Sequence, residues 1–248
     1  MLLTRARWQS DQVSPLIVTI DGTLEGLVAC ASPVQHGPLF VAEDASGQVT
    51  FKLTVTVETD EEADHIVEAA PAAIAAMCAV GWGVWVGVRT SGWFIERPDG
   101  AGSVGKSVGL RSRVRADLSL QPSMSGGQDA FQAVLTGTHE RAVALLAQLG
   151  MGLRASQSAD YVSGLWAFST VIEESAPRGK RNIDHARELA QGLRDSGFKV
   201  ADDPQRHPAE IRASALHPTP RSPLPEFAEV QWLLSLARAY LANEVQTA

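Results

Sequence analysis

Arg212 and His217 stand with four residues between them in the stretch Glu210-Ile211-Arg212-Ala213-Ser214-Ala215-Leu216-His217-Pro218. A guanidinium holds phosphate oxygens in a planar fork, and an imidazole can both take and give a proton near neutral pH. Those two roles are what cutting RNA without a metal requires. The histidine would act as general base or acid while the 2′-hydroxyl attacks phosphorus, a step that typically supplies about 10²–10⁴ in rate. The arginine would steady charge on the phosphoryl oxygens. DNA lacks the internal nucleophile and would resist.

Such a pair works only if helices present it. Pro208 suits the first position of a helix over residues 208–216. Residues five apart on a helix differ by roughly 140° around its axis. Pro218 also biases His217 away from helical backbone, so the imidazole either turns back toward the arginine or points elsewhere. The plainer alternative is a surface arginine and a helix-terminal histidine that meets the helix dipole. Apolar periodicity predicts further helices over residues 161–174, 181–196 and 226–243.

These helices, with Arg-x4-His on the shortest of them, resemble the HEPN superfamily over about half the chain. The resemblance implies a helical bundle, a metal-independent endoribonuclease with Arg212 and His217 catalytic, and a homodimer that brings two such pairs to one cleft. It also implies a toxin or phage-defence role, with a protein partner or antitoxin as a possible restraint. Many members carry a polar residue after the arginine and a glycine after the histidine, where this chain has Ala213 and Pro218. Those departures favour a second reading: a non-catalytic HEPN-like subunit that binds RNA or protein as a dimer.

Charge constrains the partner. The chain has 248 residues, 45% hydrophobic and 20% charged, and a formal net charge of −7. That excludes a surface made wholly for nucleic acid but allows a local basic face. Bases cluster in Arg89, Arg97, Lys106, Arg111, Arg113 and Arg115, and again in Arg178, Lys180, Arg181, Arg187 and Arg194. Arg178 and Arg181 are the expected RNA contacts, joined by His207 just before the motif helix. His185 reads as an ordinary helix-edge residue. No histidine pair has metal-ligand spacing, so neither metal nor cofactor is expected. Cys30 and Cys78 read as buried free thiols of a cytoplasmic protein. The apolar stretch over residues 69–88 is broken by Pro71, Gly81 and Gly83, and no segment reads as a membrane span or secretory signal.

The first half reads as strands with one helix. Residues 16–20 run into Asp21-Gly22, a turn dipeptide, and residues 24–30 continue extended, which predicts a hairpin. Residues 49–57 alternate apolar and polar. Thr59 with Glu62 forms a capping-box pattern for a helix to about Ala79, with Pro71 expected to kink or interrupt it. Residues 82–88 and 92–96 predict a tryptophan-rich hairpin joined by 89–91, and residues 113–120 a last strand. Trp82, Trp85 and Trp93 beside Arg89 and Arg97 could stack bases, although aromatics of a small sheet more often fill its core.

Gly100-Ala101-Gly102-Ser103-Val104-Gly105-Lys106-Ser107 matches the Gly-x4-Gly-Lys-Ser string of phosphate-cradling loops. The residues after it alternate like a strand, where such a loop needs a helix N-terminus, so a glycine-rich hairpin loop is preferred. Residues 121–127 read as a linker. After it, a helix over residues 129–149 is expected, with Gly137 as a break and Gly150 and Gly152 at its end. The expectation is therefore an α+β protein: a strand-rich α+β domain over residues 1–122 and an all-α HEPN-like bundle over residues 128–248.

Overall fold

The structure is a computed structural model, and it describes residues 15–25, 30, 32–97, 102–106, 126–138, 140–157, 160–176, 183–216 and 223–247. The fold is α+β. Its sheet comprises β1 (Leu16–Glu25), β2 (Val34–His36), β3 (Leu39–Glu43), β4 (Val49–Val57), β5 (Gly87–Glu96) and β6 (Gly102–Lys106). The strands lie in the order β2-β3-β4-β1-β5-β6, and all their pairings are antiparallel. The helices are α1 (Asp60–Trp82), α2 (Gly127–Leu135), α3 (Glu140–Gln157), α4 (Tyr161–Glu173), α5 (Ala186–Asp195), α6 (Pro208–Leu216) and α7 (Phe227–Thr247), with a 3-10 turn at Ile183–His185.

Alternation along β1 and β4 puts Val18, Ile20, Phe51 and Leu53 inside, while Ile17, Phe40 and Phe94 stay exposed on the strands. Thr59 caps α1: its side chain accepts the Glu62 N–H, and the Glu62 carboxylate accepts the Thr59 N–H. Asp60, Glu61 and Glu62 in the first turn suit the positive end of the helix dipole. The helix ends at Gly83, whose left-handed backbone (φ 67°) a residue with a Cβ resists.

Several expectations are corrected here. Asp21-Gly22 is not a turn. β1 runs straight through it, paired with β4 on one side and β5 on the other, with a bulge against β5 between Asp21 and Gly22. A Cβ at Gly22 would lie 2.2 Å from the Arg89 carbonyl oxygen and 2.5 Å from the Phe51 ring, so the glycine serves close packing. The tryptophan hairpin is likewise absent. Trp82 closes α1, and residues 87–96 form one strand, because β1 offers a long partner to all of it. Pro71 sits inside α1 without ending it. Gly150 and Gly152 lie inside α3, where a Cβ at Gly152 would meet Phe168 at 2.6 Å. Residues 113–120 lie outside the described residues.

α1 packs against β1, β4 and β5 and also against α2, α3 and α7. Gly81 and Gly127 let α1 and α2 touch closely: a Cβ at Gly127 would be 3.0 Å from the Gly81 Cα. One hydrophobic cluster therefore runs from Leu16 of β1 to Val245 of α7. Gly126 and Gly127, read as the end of a linker, are buried at the start of α2. Among the described residues α1 is the one helix long and apolar enough to cross a membrane, and 61% of its most apolar stretch is buried inside the fold.

Candidate functional site

α6 begins where the sequence expects it. The His207 carbonyl accepts the N–H groups of Glu210 and Ile211, which opens the helix behind Pro208. Ile211, Ser214 and Ala215 point inward, leaving Arg212 half-buried and Ala213 exposed. Arg212 reaches α4, whose Trp166 and Glu173 are two turns apart and so share one stripe. Its guanidinium lies 4.3 Å from the centroid of the Trp166 ring and is ion-paired with Glu173. A carboxylate in the last turn of a helix opposes the helix dipole, and the arginine offsets that. The side chains are 23% and 18% exposed, so the pair is partly withdrawn from water.

Around this triad the polar groups are also engaged. The Ser175 hydroxyl donates to the Ile172 carbonyl (2.7 Å) and lies 2.7 Å from His185 Nε2. His207 Nδ1 accepts the Ala209 N–H (3.4 Å) and stands 3.9 Å from Asp184, beyond hydrogen-bond reach. His207 thus helps to start α6. His217, Arg178 and Arg181 lie outside the described residues.

Other expected cations of this region hold the fold together. Arg187 Nη2 donates to the carbonyls of Pro204, Gln205 and Arg206. Arg194 donates to the carbonyls of Val200 and Ala201 and to Asp203. Arg206 pairs with Glu229, donates to the Pro223 carbonyl (2.9 Å), and so ties the approach to α6 to the start of α7. Burial pushes the Glu229 carboxyl up, but the hydrogen bonds from Arg206 and the Glu226 N–H outweigh it and hold it below the usual range. Glu229 in turn raises Arg206. Sequence reasoning missed these roles because each arginine meets its carbonyls or carboxylate through the fold, not through spacing.

The remaining motifs resolve simply. Lys106 ends β6, so residues 102–106 of the Gly-x4-Gly-Lys-Ser string are an extended strand paired with β5, where a phosphate-cradling turn would need a curled backbone. Trp82 is buried, edge-on to His36 with ring centroids 4.7 Å apart, which is the core role for that ring. Trp85 and Trp93 are half-buried against the core. Arg89 and Arg97 pair with Glu25 and Asp60. Among the described residues no group of three or more His, Cys, Asp or Glu is placed to hold a metal ion.

No family model, curated protein or solved structure matches this chain.

Proposed function

We propose that the chain is a non-catalytic, HEPN-like protein-binding subunit that acts as a homodimer. The observation that carries this is the state of Arg212: a carboxylate already occupies its guanidinium, and the Trp166 ring covers one of its faces. A cation so engaged offers little to a phosphodiester, because the entering anion must displace Glu173. The net charge of −7 and the commitment of Arg187, Arg194 and Arg206 to the fold favour a protein partner over RNA. The setting we propose is the cytoplasm, where Cys30 and Cys78, both buried and outside any disulfide, would stay reduced.

Incubation of the protein with labelled RNA in chelator tests this reading. It expects neither cleavage nor saturable binding, and a mass near twice 26.4 kDa by light scattering. Fragments ending in 2′,3′-cyclic phosphate would overturn it. They would support the second reading, a metal-independent endoribonuclease, provided Arg212→Ala and His217→Ala each abolish them with the fold intact. That reading is favoured by one feature: Trp166 is 40% exposed beside Arg212, so a base could stack on it while Glu173 yields to phosphate. Arg178 and Arg181 would then be the expected RNA contacts.

A further inference from the structure

Between α1 and α3 runs an open cleft of about 270 Å³. Its floor includes Ala76, Ala79 and Leu146, all buried, and its rim carries Met151, Trp85 and Arg154. α1 presents alanines at positions 72, 75, 76 and 79, the i, i+3, i+4, i+7 spacing of one helix face. Gly150 of α3 lies opposite, and a Cβ there would meet nothing within 4 Å. Small residues on both walls keep the helices from filling the space between them. Protein interiors are ordinarily packed without such room.

The rim has a charge to spare. The Arg154 guanidinium lies 5.2 Å from the centroid of the Trp85 ring, and among the described residues it meets neither carboxylate nor backbone carbonyl. Each other described arginine is held by one or the other. A cation that no described carboxylate neutralises, at one end of an apolar trough, complements a ligand with one anionic end and an apolar tail. The volume falls just below the usual range of about 300–1,000 Å³ for small-molecule pockets, which suits one slender chain and excludes a polycyclic body.

We infer that the α1–α3 cleft binds a medium-chain carboxylic acid, its tail along the alanine face and its carboxylate on Arg154. Decanoate, kept below its aggregation concentration, is the probe, followed by calorimetry and by tryptophan emission. Wild type should bind it saturably at one site, and decanol and decylamine at least tenfold more weakly. Arg154→Gln should weaken decanoate at least tenfold, with Arg154→Lys restoring part of the loss. Gly150→Leu puts a side chain into open space and should block the cleft without harming α3, as circular dichroism would verify. No saturable decanoate binding would overturn the inference, as would decanol binding equal to decanoate, or undiminished binding by the Gly150→Leu variant. The last result would leave the cleft to a macromolecular partner such as an amphipathic helix.

Discussion

Replacing Arg238 with methionine removes the contact that fastens α7 to the end of α1. Arg238 is on α7, yet its Nε and Nη2 donate to the Val80 carbonyl (3.1 and 3.0 Å) and its Nη2 also to the Gly81 carbonyl (3.0 Å). Gly83 makes room for it: a Cβ there would come within 2.6 Å of the guanidinium. Hydrogen bonds from a charged group contribute about 1.5–3 kcal/mol each, so three independent ones would be worth about 4.5–9 kcal/mol. Burial opposes them, pulling the guanidinium down from its ordinary value to about 10. At about 1.4 kcal/mol per pKa unit, that opposing cost is on the order of 3 kcal/mol. The arginine remains ionised at neutral pH, and the negative end of the α1 dipole favours its charge. Methionine keeps much of the apolar stem but leaves two carbonyls without their donor. The expected loss is about 2–4 kcal/mol. Urea titration followed by circular dichroism and tryptophan emission should show a lower midpoint with an unchanged slope. A midpoint moved by less than the equivalent of about 0.5 kcal/mol would refute the reasoning, since surface substitutions commonly stay within that range.

Thr59→Ala breaks the capping box of α1 and should cost about 1 kcal/mol, seen as a lower melting temperature; Thr59→Ser should restore it. Ser169 of α4 is fully buried, and among the described residues its hydroxyl finds no partner, so Ser169→Ala should leave stability unchanged or raise it in urea titration. Glu229, whose folded pKa lies below its unfolded value, contributes stability that is complete above the ordinary glutamate range and is lost as pH falls through the lower folded value. Glu229→Gln should therefore flatten the acid limb of a stability-against-pH curve; an unchanged limb counts against the Arg206 clamp. His36 is lowered by burial, so it contributes stability that falls away as pH drops below about 6.5, and His36→Phe should reduce that slope in the same titration.

Local signals in the chain were as good as their locality. Thr59 and Glu62 name the start of α1 because a capping box is closed within four residues, and Pro208 names the start of α6 for a similar reason. Alternation over residues 49–57 marks β4 with its inner face. Glycine misled where its role was tertiary. Gly22 and Gly152 read as turn and terminus, but each leaves out a Cβ so that Phe51 or Phe168 can come close. Pro71 does not interrupt α1, because a helix packed on the sheet and on α2, α3 and α7 has enough support to lose one hydrogen bond. The tryptophan run misled because a helix end and a strand meet inside it, and the partner that extends β5 lies some seventy residues upstream in β1.

The candidate site was legible only as residue types. Arg212 on Trp166 and Arg154 on Trp85 are alike as motifs, a guanidinium over an indole on a helical surface. They differ by one carboxylate. Glu173 comes to Arg212 because it lies seven residues after Trp166 on α4, so the stripe that supplies the ring also supplies the counter-charge. Among the described residues Arg154 has a ring and no carboxylate, and α1 faces the cleft with alanines. An arginine's availability to an outside anion is set by the charge the fold has already brought within reach, because displacing an internal carboxylate means desolvating the anion that enters while leaving Glu173 half-buried without its partner. Spacing along the chain cannot report that quantity. The position of the opposing helix can, and it makes the residue that resembles a catalytic arginine the less available of the two.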